Sequence, residues 1–218
     1  MKTVREILDI VHDDTPNPHA VAIAQDALNQ LNAGKLIGTK SFYFIPIKGE
    51  EEDFDPNYAY NSNAARKFKS QAYGPNGTVE FNKYFRENND VRCRVCAMGA
   101  LLISEVNLNN NFNVEDAANA SESIYVAEES CESRLDSYFS PYNLRLMEAV
   151  FEGKIHYPYK MGEWYTNNLV LSLPEREFVR DRILNYYEKY PDLDDRLRAI
   201  LLNVIRNKGS FRLPQKRV

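Results

Sequence analysis

Cys93 and Cys96 are the two residues whose types and spacing most directly suggest chemistry. Two cysteines separated by two residues are typical of zinc ligands and of redox pairs. A zinc site needs two further ligands, which Cys131 and one of the three histidines would supply. Strong zinc signatures carry a second short-spaced pair, and this sequence has none. We therefore expect a protein without a cofactor, with zinc bound by Cys93, Cys96 and Cys131 as the alternative.

A redox role for Cys93 is a further interpretation of the same pair. In a helix over 91–106, Cys93 would lie in the first turn between Arg92 and Arg94, and both features favour the thiolate. A thioredoxin-like site also needs a strand that leads into the helix, whereas residues 81–90 read as a helix followed by its cap. We therefore expect Cys96 to pack in the core and Cys93 to be partly exposed and without a role.

Other catalytic patterns are weak in this sequence. His12 is followed by Asp13 and Asp14, which would suit a general base with an orienting carboxylate. A histidine beside acids at the end of a helix is more often a favourable contact with the helix dipole. The sequence has no serine elbow, phosphate-binding glycine loop or dinucleotide fingerprint. These observations favour an interaction or accessory protein over an enzyme.

Two segments are candidate binding surfaces. One is aromatic, and tyrosine and tryptophan dominate the energetics of interfaces; its candidate residues are Tyr157, Tyr159, Trp164 and Tyr165. The alternative is an irregular loop anchored by aromatic packing. The other is the C-terminal end, where residues 206–218 hold five basic residues and no acid; its candidate residues are Arg212, Lys216 and Arg217.

The basic end has two interpretations. It would contact phosphates and make the chain a nucleic-acid accessory factor, together with Arg66, Lys67 and Lys69. It would otherwise dock on an acidic surface of this chain or of a second copy, as an assembly arm. Residues 97–133 hold seven acids and no lysine or arginine, so such a surface is available. The net charge of −4 provides no general attraction for nucleic acid, which makes an unknown protein partner or self-association the first expectation.

The element that would position these residues is a central helix over 91–106. Every residue from Val95 to Ile103 is apolar or small, and a helix that is apolar on all sides lies in a core or in a membrane. This run is too short and too closely flanked by charges to span a bilayer. We therefore predict an irregular, mainly α multi-helix bundle around this helix, with no membrane partner.

The remaining helices follow from capping and periodicity. Asn17 before Pro18 and Ser140 before Pro141 are typical helix starts, and the pattern of apolar residues predicts an inward face on each helix. The predicted helices lie at 3–11, 18–33, 59–73, 78–87, after 119, and at 141–152, 174–190 and 192–207. Residues 40–47 predict one short strand, which Pro46 confines to an edge. We expect a single helical domain over 1–208 and a basic tail over 209–218.

Two stretches resemble a group of uncharacterised bacterial and phage proteins. One is Cys96-Ala97-Met98-Gly99-Ala100-Leu101-Leu102, and the other runs from Phe139 through Ser140 and Leu144 to Glu148, Phe151 and Glu152. The resemblance covers about a quarter of the chain, implies a phage or mobile-element origin, and carries no known activity. The first residues, MKTVREILDIVHDD, are too polar for a signal peptide, and the odd cysteine count disfavours a secreted disulfide framework. We therefore expect a cytoplasmic protein.

Overall fold

A computed structural model of the chain describes residues 3, 4, 6, 7, 15–40, 44–48, 91–109, 134–153 and 172–214. In these ranges the chain forms, in order, α1 (Pro18–Asn32), β1 (Leu36–Gly38), β2 (Phe44–Lys48), β3 (Val91–Val95), α2 (Ala97–Asn109), α3 (Pro141–Glu152), α4 (Leu173–Lys189) and α5 (Leu193–Arg206). Helices dominate, which confirms the mainly α prediction. The helices predicted at 59–73, 78–87 and after 119 lie outside the described residues.

The three strands form one small sheet in the order β1-β3-β2. β3 runs parallel to β1, with Cys93 opposite Leu36, and antiparallel to β2, with Cys93 opposite Pro46. β2 is an edge strand of this sheet, as predicted, which suits Pro46 because proline has no N–H for a second partner. Its bounds are shifted from the predicted 40–47, and β1 was not predicted.

The prediction of one helix over 91–106 is wrong in its first part. Residues 91–95 form β3, and the helix begins only at Ala97 and ends at Asn109. Cys93 and Val95 are fully buried, whereas Arg92 and Arg94 are half-buried, so the side chains alternate with the period of two that a strand requires. The change to a helix occurs at Cys96, whose Sγ accepts a hydrogen bond from the N–H of Gly99 at 3.4 Å, in the manner of an N-cap.

The central position of α2 is confirmed. Every residue from Cys96 to Glu105 is buried, and α1 and α3 both pack against this helix. α5 packs on α1, α3 and β1, with Leu197, Ile200, Leu201 and Val204 fully buried as their spacing predicted. Among the described helices, none has the length and apolar character needed to cross a bilayer.

Several predicted helix ends are confirmed. At α1 the Oδ1 of Asn17 accepts hydrogen bonds from the N–H groups of the second and third helical residues, at 3.0 and 3.2 Å. At α3 the Oγ of Ser140 caps the N–H of Asn143. Gly34 and Gly153 follow α1 and α3 with φ of 68° and 69°, the left-handed conformation that glycine adopts without strain.

The described part of the predicted basic tail over 209–218 packs against the helices. Gly209, Ser210, Phe211 and Leu213 are buried, and Phe211 has no exposed surface. The segment turns back along α5, because Lys208 and Gly209 both have positive φ, of 59° and 106°. Its apolar side chains can then join the core, so the described part of the tail belongs to the helical domain.

Candidate functional site

The two central cysteines are buried, which corrects the expectation for Cys93. Cys93 lies on β3 rather than in a first helical turn, and its exposed fraction is 0%, so it is not a partly exposed residue. Burial raises the pKa of both the Cys93 and the Cys96 thiol, whereas the sequence favoured a thiolate at Cys93. Both thiols are free.

The zinc alternative stays a prediction. Its third ligand, Cys131, lies outside the described residues. Within the described ranges, no group of three or more histidine, cysteine, aspartate or glutamate side chains is placed to hold a metal ion.

The predicted binding residues are described at one position only. Arg212 is half-buried, and the rest of the set lies outside the described residues: Tyr157, Tyr159, Trp164, Tyr165, Lys216 and Arg217. The N–H of Arg212 donates to the Oδ1 of Asn203 at 2.8 Å, and the Nδ2 of Asn203 donates to the carbonyl oxygen of Arg212 at 2.8 Å. The main chain at Arg212 is therefore fixed against α5.

Arg196 is a buried charge that the sequence analysis did not single out. Only 1% of its surface is exposed. Its guanidinium donates to main-chain carbonyl oxygens of Phe151 at 2.7 Å, Tyr190 at 2.8 Å and Pro191 at 3.2 Å. These carbonyls lie at the C-terminal ends of α3 and α4, where unpaired oxygens and the helix dipole favour a cation. Arg196 therefore joins two helix ends to α5 and is a structural residue.

Lys40 and Tyr187 form a polar contact beside this cluster. The Nζ of Lys40 donates to the phenolic oxygen of Tyr187 at 3.0 Å, and this hydrogen bond is the main cause of a lowered pKa of Tyr187. The guanidinium of Arg196 lies 3.9 Å from the centroid of the Tyr187 ring, and a Cβ atom at Gly153 would collide with the same ring. The hydrogen bond from Lys40 joins the end of β1 to α4.

An open cleft of about 320 Å³ lies where three distant segments meet. Its walls are residues 15–17, residues 136–140 together with Asn143, and residues 209–210. The cleft therefore lies at the N-terminal ends of α1 and α3, beside the turn that follows α5.

Asn17 holds these walls together. Its Nδ2 donates to the carbonyl oxygen of Tyr138 at 2.8 Å, and its N–H donates to the carbonyl oxygen of Lys208 at 2.8 Å. On the opposite wall, Asn143 is buried and its Nδ2 donates to the Oγ of Ser210 at 3.3 Å. Each of the three segments is thus hydrogen-bonded to another.

The wall of the cleft is of mixed polar and apolar character. It carries the hydroxyl groups of Thr15, Ser137, Ser140 and Ser210, and the carboxyl group of Asp136. Partial desolvation raises the pKa of Asp136, and the positive charge of Arg145 opposes the rise. The described residues of the wall include neither histidine nor cysteine, the usual partner bases and nucleophiles of covalent catalysis. The arrangement offers hydrogen-bond donors and acceptors to a small polar molecule.

The sequence did not indicate this cleft, although two residues of its wall were predicted to be helix caps. Asn17 and Ser140 each precede a proline, which is typical of the start of a helix. This pattern does not predict that Asn17 and Ser140 lie close together. Their approach depends on contacts such as Asn17 to Tyr138, which joins residues 121 positions apart.

The comparisons with known proteins add no family. The chain matches no family model, no curated protein and no solved structure. The likeness to uncharacterised phage and bacterial proteins at 96–102 and 139–152 stays a prediction. In the structure these two stretches form the start of α2 and the whole of α3, which pack against each other in the core.

Proposed function

We propose that this protein acts by binding rather than by catalysis, and that the cleft between residues 15–17, 136–140 and 209–210 binds a small polar ligand. One observation carries the proposal: the cleft is open, measures about 320 Å³, and presents hydroxyl and carboxyl groups from three segments. Small-molecule sites are typically concave, with volumes of roughly 300–1,000 Å³ and a few fixed polar groups.

The fixed wall of the cleft supports this proposal. Asn17 and Asn143 hold the segments of the wall through hydrogen bonds of 2.8 to 3.3 Å. A wall that is already ordered loses little conformational freedom when a ligand binds, so more of the interaction energy appears as affinity. The carboxyl group of Asp136 disfavours an anion at contact distance, so the preferred ligand donates hydrogen bonds to it.

A cytoplasmic accessory role completes the proposal. The free thiols of Cys93 and Cys96 support a reducing compartment, although both are also well placed as core residues. The zinc and nucleic-acid alternatives rest on Cys131, Lys216 and Arg217, which lie outside the described residues, and they stay predictions.

Ligand-observed NMR with a mixture of small polar probes tests the proposal. The mixture contains neutral sugars, small ammonium compounds and small carboxylates. The occluding variant is Ser137→Trp, because this exposed residue lies in the wall and its indole would fill the cleft. The matched control is Asn29→Trp, on the exposed face of α1 and about 18 Å along the helix from Asn17.

The expected result is saturation transfer to at least one probe with the natural chain and the control, and none with Ser137→Trp. Both variants should give the circular dichroism spectrum of the natural chain, because both positions are exposed. Probe binding that survives in Ser137→Trp, or the absence of any bound probe with the natural chain, would contradict the proposal.

A further inference from the structure

The C-terminal residues 209–214, named here the C-terminal arm, are held through their main chain by two asparagine side chains. The Nδ2 of Asn143 donates to the carbonyl oxygen of Phe211 at 2.9 Å, and the N–H of Phe211 donates to the Oδ1 of Asn143 at 2.9 Å. Asn203 makes the same pair of hydrogen bonds to Arg212, both at 2.8 Å. Two successive residues are thus bound in the way that a neighbouring strand would bind them.

Within the arm, residues 211–214 alternate between buried and half-buried side chains. Phe211 is 0% and Leu213 is 2% exposed, whereas Arg212 between them is half-buried. The Phe211 ring packs edge-on against Tyr186 of α4, with 5.4 Å between the ring centroids. Main-chain hydrogen bonds combined with pockets for alternate side chains are the way in which proteins recognise an extended peptide. The groove formed by α3, α4 and α5 therefore has the properties of a peptide site, filled by the chain's own end.

The connection between α5 and the arm is a strained hinge. Lys208 has φ of 59°, and it is the one non-glycine residue with positive φ in the described part of the chain. Gly209 follows with φ of 106°, and a Cβ atom there would lie 2.7 Å from the carbonyl oxygen of Asn17. Left-handed backbone is costly for a residue with a side chain, so closing the arm on its own groove stores strain at Lys208, whereas Gly209 adopts its positive φ without strain.

We propose that the groove is an interface between two copies of this chain, in which each arm leaves its own groove and docks in the groove of the other copy. Phe211 and Leu213 make the same contacts in the monomer with a closed arm and in the dimer with exchanged arms. These contacts therefore do not affect the equilibrium between monomer and dimer. What remains is the relief of strain at Lys208, which favours exchange, and the entropy of association, which opposes it. The proposal rests on the arm and its hinge, and residues 209–210 of the arm also line the ligand cleft.

The sharpest test changes the hinge and leaves the groove intact. Gly209→Ala adds a Cβ atom that the closed arm cannot accommodate, so sedimentation equilibrium should show a dimer dissociation constant about tenfold lower than that of the natural chain. Lys208→Gly removes strain from the closed arm and should weaken the dimer. A folded Gly209→Ala chain that stays monomeric over the same concentrations as the natural chain would overturn the proposal.

A peptide-binding measurement tests the exchange of arms even if the Gly209→Ala chain does not fold. A fluorescent peptide with the sequence of residues 209–218 is titrated with the natural full-length chain, and its anisotropy is followed. The expected result is saturable binding, at least tenfold weaker for the same peptide carrying Phe211→Ala, because that side chain is fully buried in the groove. Equal binding of the two peptides, or no binding of either, would overturn the exchange.

Discussion

Three asparagine side chains form hydrogen bonds with main-chain groups that lie outside the helices and the sheet of the described structure. Asn17 binds the carbonyl oxygen of Tyr138, and Asn143 and Asn203 bind both main-chain groups of Phe211 and Arg212. An amide suits this task because it carries a donor and an acceptor side by side. Asn17 and Asn143 line the cleft, and Asn143 and Asn203 secure the C-terminal arm, so the candidate functions depend on these side chains.

Local capping residues were predictable from the sequence, and buried polar residues with distant partners were not. The ends of α1 and α3 are capped by residues that contact the helix only a few positions away, namely Asn17, Ser140 and Gly34. The neighbouring residues in the sequence were therefore enough to predict these caps. Arg196 reaches Phe151, 45 positions away, and Asn143 reaches Phe211, 68 positions away. Nothing in the pattern around either residue distinguishes it from an exposed polar residue of an amphipathic helix.

At Arg196 we predict a large loss of stability on substitution. Arg196→Met leaves the carbonyl oxygens of Phe151, Tyr190 and Pro191 without this donor, and an unpaired buried acceptor such as that of Phe151 costs roughly 1–3 kcal/mol. We expect the free energy of unfolding in urea to fall by about 3 kcal/mol or more. The control is Arg198→Met on the same helix, whose exposed ion pair with Asp195 contributes under about 1 kcal/mol. Equal effects of the two substitutions would show that Arg196 does not join the helix ends.

We predict that the substitution Asp136→Asn increases the stability of the fold in a pH-dependent way. The pKa of this carboxyl group is raised in the folded protein, chiefly by desolvation, so its ionised form opposes folding. The unfavourable contribution is complete above the folded pKa and absent below the ordinary value of 3.8. Asp136→Asn should therefore melt at a slightly higher temperature than the natural chain at pH 7, and the difference should shrink as the pH falls towards 4. A lower melting temperature at pH 7 would contradict this sign.

At the scale of elements, the segment from Val91 to Asn109 shows why one boundary was misjudged. The alternation Val91-Arg92-Cys93-Arg94-Val95 has the period of a strand, but it leads without a break into a helix of apolar residues. Five residues are too few for periodicity alone to separate a buried strand from a buried helix. The pairing partners, at 36–38 and 44–48, lie more than forty positions earlier, so the sheet was not predictable from local pattern.

The glycines that follow α1 and α3 can be compared to test how α4 packs against the end of α3. Gly34 and Gly153 both have positive φ, so replacement by alanine should strain the backbone at each position, and more so at Gly153, whose ψ of −45° is less favourable for a residue with a side chain. Around Gly34 there is open space, whereas a Cβ atom at Gly153 would collide with the Tyr187 ring. We expect Gly153→Ala to lower the free energy of unfolding by about 1–3 kcal/mol more than Gly34→Ala in urea titrations. Equal losses would mean that Tyr187 does not pack against the end of α3.

At the scale of the whole molecule, composition and helical periodicity predicted the mainly α fold and the central helix, because both follow from apolar residues spaced along each segment. The small sheet and the cleft depend on contacts between segments that are far apart in the sequence, and local residue patterns do not predict such contacts. The predicted tail illustrates the same limit. Its basic charges suggested an exposed end, while Phe211 and Leu213 bring residues 209–213 into the core.

Burial of the C-terminal arm predicts a measurable contribution to the stability of the whole domain. Phe211→Ala removes a fully buried ring that contacts Tyr186, and such substitutions cost about 3–5 kcal/mol. The control Leu108→Ala removes a side chain that is 48% exposed on α2 and should cost much less. Both are measured by urea unfolding at a protein concentration where the chain is monomeric. A loss below about 1 kcal/mol for Phe211→Ala would show that the end of the chain is a free tail.

The most direct test of the binding proposal is to locate a bound probe by amide chemical shifts. The probe is the compound of the polar mixture with the strongest saturation transfer, titrated into ¹⁵N-labelled natural chain. The predicted result is that the largest saturable shifts fall on the amides of residues 15–17, 136–140 and 209–210, which form the walls of the cleft. Shifts concentrated on another surface, with these amides unchanged, would contradict the proposal that this cleft is the binding site.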